Sequence, residues 1–544
     1  MNSLIPRAER LAAEARSGSL TPNPPVEFSS RGAPSKKTAT AQRAGYGGPL
    51  ITPRRFWIRT HGCQMNVHDS EKVANLLLHD GWEPALGMDE ADLLILNTCS
   101  IRDKAEHRLY SELGKLREWK ALARGRAVGV AGCVAQQQGD ALLRRFPQLD
   151  FVYGTHNLRR VPEMAAAAFR GVRDSQTEES RSQERFDLPS RHPSLEGDPA
   201  GRAFVTVMEG CDMFCSFCIV PSTRGREISR AGSEIVAESR DLVASGIREL
   251  TLLGQTVNAY GRHDRRRADE RAGREAGAAL EGASEDSPDS FAGLLARVAE
   301  IPGLARLRYI SPHPIFYDED LIRAHAEIEV LCPHIHLPVQ SGSSRILERM
   351  RRRHTADEYR QLVERLRASR PDIAITTDLI VGFPGETDAD FDDTLALVRE
   401  VSFTDAFIFK YSPRPGTAAV SLKGEVPDTV AQARLEELQE LQRTRTLDAH
   451  RARVGEVAEI LVEGPSRRGG AQLSGRDPFH RIVNFSAEAE SSPAPGSLIQ
   501  VEIVDATPHS LIGVWNEGAE GDRWPRIVKM GASIADERRA VIGS

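Results

Sequence analysis

The stretch Phe204-Val205-Thr206-Val207-Met208-Glu209-Gly210-Cys211-Asp212-Met213-Phe214-Cys215-Ser216-Phe217-Cys218 decides the reading of this chain. Phe204–Met208 is apolar and β-branched and predicts a strand. Three cysteines follow in the loop that leaves it, at the spacing Cys-x-x-x-Cys-x-x-Cys. Three thiolates can hold three irons of a 4Fe–4S cluster and leave the fourth iron open to a ligand and an electron. A structural zinc site wants four closed ligands, and no fourth Cys or His lies nearby in sequence. Three core cysteines fit poorly, because Asp212 and Ser216 interrupt the run.

Outward from the cysteines the chain keeps one rhythm. Leu250–Leu253, Leu307–Ile310, Ile335–Val339, Ile373–Val381 and Ala406–Lys410 are further β-prone runs with helical stretches between them. Six strands alternating with helices predict an α/β fold, a parallel sheet curled into a partial TIM-like barrel over residues 201–447. Residues 262–289, rich in Arg, Glu, Ala and Ser, read as a disordered insertion. Cys332 reads as a core cysteine. His334 and His336 alternate on the fourth strand and read as strand residues with satisfied hydrogen bonds.

Residues 53–171 repeat the alternation, with strands at Phe56–Arg59, Leu93–Leu96 and Ala127–Val130, and predict a separate parallel α/β domain. Cys63, Cys99 and Cys133 each stand a few residues past one of these strands. Loops that follow parallel strands share one sheet edge, the edge where ligands bind. Three thiolates there could converge on a second cluster, or be small apolar residues in strand-end loops; spacing alone does not choose.

The remaining segments are read from composition. Residues 1–52 carry Pro and small polar residues without a period and read as a disordered extension; their Arg-bearing, acid-poor character is also compatible with a transit peptide. Residues 172–200 are polar and charged and read as a linker. Leu435, Leu438 and Leu441 predict a helix leading into residues 448–515, where short β-prone runs between Gly and Pro predict a small β-barrel. Residues 516–544 form a tail. No apolar run approaches the roughly 18 residues that span a bilayer, so a cytoplasmic protein without a membrane partner is expected. Seven cysteines in such a chain favour metal chemistry over disulfides. The formal charge of −6 does not advertise nucleic-acid binding, so an RNA contact must rest on a local patch. Arg467, Arg468, Arg476 and Arg481 surround the single acidic Asp477 and are the candidates.

The run Cys211/Cys215/Cys218 resembles the radical-SAM superfamily signature, in which the open iron binds S-adenosylmethionine (SAM) and reduction yields a 5′-deoxyadenosyl radical. That resemblance implies further SAM-site candidates: Phe217 before the last cysteine, Gly254 and Gln255 after the second strand, Gln340 and Ser341 after the fourth, and Val381 and Gly382 in Val381-Gly382-Phe383-Pro384-Gly385-Glu386 after the fifth. Arg224-Gly225-Arg226-Glu227 implies contact with SAM or substrate through Arg226, and Arg414 is a weaker candidate of the same kind. Gly62-Cys63-Gln64-Met65-Asn66, Asn97-Thr98-Cys99-Ser100-Ile101-Arg102 and Gly132-Cys133-Val134-Ala135-Gln136 look like the N-terminal domain of the methylthiotransferases, which carries an auxiliary 4Fe–4S cluster. The resemblance covers roughly residues 54–515. The domain order is also that family's, ending in a β-barrel of the kind called TRAM.

Within that family, Gly62-Cys63-Gln64-Met65-Asn66 and Leu252-Leu253-Gly254-Gln255-Thr256-Val257-Asn258-Ala259-Tyr260 are similar to the branch acting on N6-dimethylallyladenosine beside the tRNA anticodon. The resemblance implies two 4Fe–4S clusters, two SAM and methylthiolation at C2 of the adenine. It implies a tRNA substrate met at its anticodon loop, a flavodoxin or ferredoxin as electron donor, sulfur and cluster-assembly proteins as partners, and a monomer. Rival readings keep the chemistry but act on threonylcarbamoyl-adenosine or a ribosomal-protein aspartate, or drop catalysis for a redox-sensing iron–sulfur RNA-binding protein.

Overall fold

The computed structural model describes residues 26–28, 53–100, 103–123, 125–180, 182–195, 197–262, 290–466, 472–487 and 492–515. The expected insertion and tail, and all but Val26–Phe28 of the expected extension, lie outside these residues or nearly so.

The N-terminal sheet runs Val26–Phe28, Arg55–His61, Leu93–Thr98, Ala127–Ala131, Phe151–Tyr153 and Asp174–Gln176, with Glu83–Pro84 also on Arg55–His61. All pairings are parallel except the first. Helices cover both faces. Phe56, Ile58 and Ile95 pack on one side with Val73 and Leu77, and Trp57, Leu94 and Leu96 pack on the other with Leu109, Leu113 and Trp119. Burial on both faces explains why these strands read as unbroken apolar runs.

Two segments differ from expectation. Within the extension expected to be disordered, Val26–Phe28 pairs antiparallel with Arg55–His61, whose open edge offers unpaired backbone groups. The expected linker 172–200 supplies the edge strand Asp174–Gln176 and then lies along the domain: Asn75 Oδ1 accepts from His192 N at 2.7 Å, and Asn75 Nδ2 donates to Pro189 O at 3.0 Å. A half-covered edge strand needs no apolar alternation, so its sequence looks like loop.

The second domain carries the six expected parallel strands in two sets of three. The first is Arg202–Thr206, Glu249–Leu253 and Arg306–Tyr309; the second is His334–His336, Ala374–Val381 and Asp405–Lys410. A bridge between Leu307 and Leu331 joins the sets into a curved, open sheet. Val205, Leu250, Leu252, Leu307, Ile335, Ile375, Leu379 and Ala406 face the helices and form the largest core. The alternate residues therefore face the concave side.

The C-terminal five strands, Val457–Pro465, Leu473–Arg476, Ile482–Ala487, Leu498–Ala506 and Leu511–Trp515, close into a barrel around Ile460, Val483, Phe485, Val501 and Leu511. It docks on the starting ends of the central strands through buried charge. Arg306 donates to Glu459 Oε1 at 3.0 Å and to the Arg476 carbonyl at 2.8 Å, and Arg308 Nε lies 3.0 Å from Glu249 Oε2. This end is opposite the one that carries the cysteines. Removing one partner of a buried ion pair costs about 3–5 kcal/mol, because the other charge is left unpaired. Arg306→Met is therefore expected to loosen the C-terminal barrel, exposing the link near residues 451–456 to protease under conditions that leave the wild-type chain whole. Equal resistance would show that this docking does not depend on Arg306.

Candidate functional site

Cys63 caps the N-terminus of the helix Gln64–His79, Cys99 follows Leu93–Thr98, and Cys133 opens the helix Cys133–Gln138. Parallel register sets His61 beside Thr98 and Asn97 beside Ala131, so the three loops leave one sheet edge together. Close approach is built in: a Cβ on Gly62 would stand 2.7 Å from that of Cys99, and Gly132 (φ +89°) would meet the Thr98 carbonyl at 2.6 Å. Buried amides brace the edge. Asn66 Nδ2 donates to Asn97 Oδ1 at 2.8 Å, and Cys63 Sγ donates to Asn66 Oδ1 at 3.2 Å.

Cys99 is within hydrogen-bonding reach of both Cys63 and Cys133, and its part as donor raises its own pKa. Its hydrogen bonds, helped by the Arg224 guanidinium, lower Cys63 to about 7 and Cys133 to about 6, against the opposing effect of burial.

The second set is held differently. Gly210 (φ +84°) turns the chain so tightly that a Cβ would stand 2.0 Å from the Arg226 carbonyl. Cys211 N donates to Gly225 O at 3.1 Å, Cys211 Sγ lies 3.0 Å from Thr256 Oγ1, and Arg352 Nη1 donates to Cys215 Sγ at 3.6 Å. Cys211, Cys215 and Cys218 cluster with Met213, Phe217, Ile315 and Phe316. Burial, reinforced by the neighbouring sulfurs, pushes Cys218 up to about 12. Burial also raises Cys211.

Among the described residues no three His, Cys, Asp or Glu side chains form a site for a single metal ion, so the fit to clusters rests on the donor chemistry. Each set offers three thiols and no fourth, the pattern of a 4Fe–4S cluster with one open iron. Loading either set must remove thiol protons, so the raised thiols, Cys99 in one set and Cys211 and Cys218 in the other, oppose it until the cluster is bound.

The remaining candidates fall as follows. Phe217 lies between the cysteine cluster and a second apolar group containing Ile380 and Phe383. Gly254 leaves no room for a Cβ, which would stand 2.7 Å from Met208 Cγ. Gln255 Oε1 accepts from Gly210 N, while its Nε2 is buried without a partner. Gln340 holds φ +83°, and its backbone bridges to the Ala374–Val381 strand. The Ser341 hydroxyl serves its own loop, accepting from Ser343 N at 3.2 Å. Val381 is a core side chain, and Gly382 N donates to Glu386 Oε1 at 3.0 Å. Arg226 makes a two-pronged contact with Asp212, at 2.6 and 3.1 Å, and clamps the cysteine loop. The Arg414 carbonyl closes its turn by accepting from Thr417. Cys332 is buried with its thiol pushed up to about 11, and the rings of His334 and His336 share Thr376 Oγ1.

The expected basic patch is corrected in half. Arg476 Nε donates to Glu463 Oε1 at 2.9 Å, a carboxylate that also meets Arg202 of the central domain, and Arg481 lies nearly buried beside Asp477 and over Phe479 within the barrel, so both charges are engaged by neighbouring side chains. Arg467 and Arg468 lie outside the described residues.

Sequence reading missed Thr256 and Arg352 as cysteine partners, and it missed two larger features. One is a group of buried charges between the first two domains. Arg224 Nη2 meets Asp69 Oδ2 at 2.7 Å, and Glu209 lies 3.6 Å from Lys72 and 3.4 Å from Arg185. Burial would raise Glu209, but these cations hold it down to about 2. The other is on the concave face, where Phe407 and Phe409 are exposed; they are in register with Asp378 and Ile380, and His336 packs edge-on to Phe407.

The half-exposed pair Cys63 and Cys218 makes the electrostatic contrast testable. In metal-free protein, alkylation of Cys63 is expected to climb as pH rises through about 7, while Cys218 stays thiol up to about 12 and labels slowly throughout. Peptide mass mapping that found Cys218 labelled first at neutral pH would contradict the assignment.

Residues 55–154 match UPF0004, described as an uncharacterized protein family, and residues 205–398 match the Radical SAM superfamily. Among solved structures, the radical S-adenosylmethionine methyltransferase TsrM of Kitasatospora setae is similar at 16% identity and TM-score 0.45, covering 66% of this chain and 73% of its own. The tRNA-2-methylthio-N(6)-dimethylallyladenosine synthases of Geobacter metallireducens and Novosphingobium aromaticivorans are 49% and 44% identical, over 84% and 85% of this chain and 97% of each relative. The chain belongs to this family of radical-SAM tRNA methylthiotransferases, whose cofactors are SAM and 4Fe–4S clusters.

Proposed function

We propose that this enzyme adds a methylthio group at C2 of N6-dimethylallyladenosine beside the anticodon of tRNA, using two SAM and two clusters. Cys211, Cys215 and Cys218 hold the SAM-binding cluster, and Cys63, Cys99 and Cys133 hold the auxiliary one. The observation that carries this reading is the pair of three-thiol sets, each at the finishing ends of parallel strands and the two tied by Arg224 and Asp69. When bound, SAM and the first cluster supply a hydrogen-abstracting radical, and the second cluster supplies the sulfur.

The protein's own task is placement. C2 of adenine is neither acidic nor furnished with a leaving group, so acid–base side chains alone cannot activate it. The base must also leave its stack, which costs least in a single-stranded loop. Gln255 Nε2 is a free buried donor beside the cysteine loop. Phe407 and Phe409 offer exposed aromatic surface on the concave face, and Phe409 is in register with Ile380, which borders the same apolar cluster as Phe217. That face supports the dimethylallyl substrate over the threonylcarbamoyl one: beside Phe407 it carries Asp378, whose carboxylate would repel that of a threonylcarbamoyl group. Among the described residues no helix is long and apolar enough to cross a membrane. We place the enzyme in the cytoplasm as a monomer, supplied by a flavodoxin or ferredoxin and by sulfur and cluster-assembly proteins.

The direct test is product analysis. Protein reconstituted anaerobically with iron and sulfide is incubated with SAM, a strong reductant and dimethylallyl-modified tRNA, and the nucleosides are resolved by mass spectrometry. The expected product is the methylthio-dimethylallyl nucleoside. Formation of 5′-deoxyadenosine without it would keep the radical chemistry and overturn the substrate. Product on threonylcarbamoyl tRNA instead would overturn the argument from the concave face.

A further inference from the structure

Arg224 opens the stretch Arg224-Gly225-Arg226-Glu227, whose expected contact with SAM or substrate runs through Arg226. The structure turns the Arg224 side chain away from the Cys211 loop and toward the N-terminal domain. The helix Val220–Arg224 packs on the N-terminal domain, with Thr155 Oγ1 donating to the Thr223 carbonyl. Directly after it, Gly225 (φ +73°) presses so close that a Cβ would stand 2.9 Å from His156 Cε1. The Arg224 side chain is 3% exposed. Its Nη2 meets Asp69, its guanidinium lies beside the Cys133 sulfur, and its Nη1 is buried without a hydrogen-bond partner. A buried N–H of a charged group left unpaired is costly, and it marks a place where a partner belongs.

The charges around it also fail to cancel. Lys72, Arg185 and Arg224 face Asp69 and Glu209, three cations against two anions, all with side chains 14% exposed or less. The nearby pairs Arg59 with Glu112 and Arg230 with Glu238 close on themselves, His68 pairs with Glu71, and burial lowers the pKa of His156. Glu179, which approaches Gly225 and acts on Arg185 and His156, is a further carboxylate at the rim, solvent-exposed and so screened, and the imbalance is one of the buried charges. An oxidised 4Fe–4S core held by three thiolates carries one net negative charge, and hydrogen bonds to its sulfurs tune its potential. The excess positive charge and the free donor meet the same need.

We propose that Arg224, supplied by the radical-SAM domain, is a positioning residue for the auxiliary cluster: its free Nη1–H donates to a sulfur of that cluster, which is thereby held from both domains. This rests on the reading of Cys63, Cys99 and Cys133 as cluster ligands. It makes auxiliary-cluster occupancy and the seating of the two domains mutually dependent, since a ligand that favours one arrangement is itself favoured by it.

The test uses the full chain carrying Cys211→Ala, Cys215→Ala and Cys218→Ala, so that only the auxiliary cluster reports. Iron and sulfide content and the EPR-monitored midpoint potential are measured after reconstitution for Arg224→Gln, Arg224→Lys and Asp69→Asn. Arg224→Gln removes the cation and replaces the guanidinium fork with a shorter, neutral amide that falls short of the cluster. It is expected to bind several-fold less iron, with a lower potential for whatever cluster forms. Arg224→Lys should fall between it and the parent. Asp69→Asn breaks the same ion pair but removes an anion, so iron is retained and the potential rises. A mere lock between domains predicts that Arg224→Gln and Asp69→Asn behave alike. Shifts of the same sign, or unchanged iron and potential in Arg224→Gln, would overturn the proposal. Absence of iron from the parent itself would overturn the ligand assignment and this inference with it.

Discussion

One buried ion pair, Asp69 with Arg224 at 2.7 Å, organises the working half of the molecule. Asp69 sits on the helix that Cys63 caps, and Arg224 ends the short helix that follows Cys218. Fixing these two side chains therefore fixes one cysteine set relative to the other. A buried pair of this kind contributes little net stability, because desolvation offsets most of the attraction. What it provides is geometry, since displacing either partner strands a charge in a medium of low dielectric.

Both domains joined by this pair use the same structural device. Parallel strands connected by helices send all their finishing ends to one edge, and residues placed just past those ends meet even when they are far apart in sequence. In the N-terminal domain this gathers Cys63, Cys99 and Cys133; in the central domain it gathers the Cys211 loop with Thr256, Gln340 and Gly382. The C-terminal barrel docks at the opposite, starting ends of the central strands through Arg306, Arg308 and Glu249. The finishing ends thus remain free of it for a substrate.

The features legible in the sequence were those written locally. The strands around the cysteines are apolar because both faces are buried, and each cysteine stands immediately past its strand. The central-domain strands were legible from the apolar residues that they turn toward the helices. The strand Leu473–Arg476 was not, because Gly475 sits where a Cβ would come within 2.4 Å of Ile460 Cγ2, and packing there overrides β-propensity. Asp174–Gln176 was hidden by its polar edge position. The larger failures concern charge. Arg476 and Arg481 look like surface residues in sequence, and Arg224 looks like part of the SAM loop. Asp69 is brought to Arg224 by packing between domains, which no local pattern encodes, whereas Glu463 and Asp477 meet Arg476 and Arg481 within the C-terminal barrel once its strands pair.

The central claim is that two independent three-thiol sites lie in neighbouring domains. It is tested most directly by counting iron in two triple variants, one with Cys63, Cys99 and Cys133 replaced by Ala and one with Cys211, Cys215 and Cys218 replaced by Ala. Each is reconstituted beside the wild-type chain and read by iron analysis and Mössbauer spectroscopy. The account predicts that each variant retains about half the wild-type iron, as a 4Fe–4S cluster with one site distinct from the other three. Full iron in either variant, or loss of all iron from both, would contradict it.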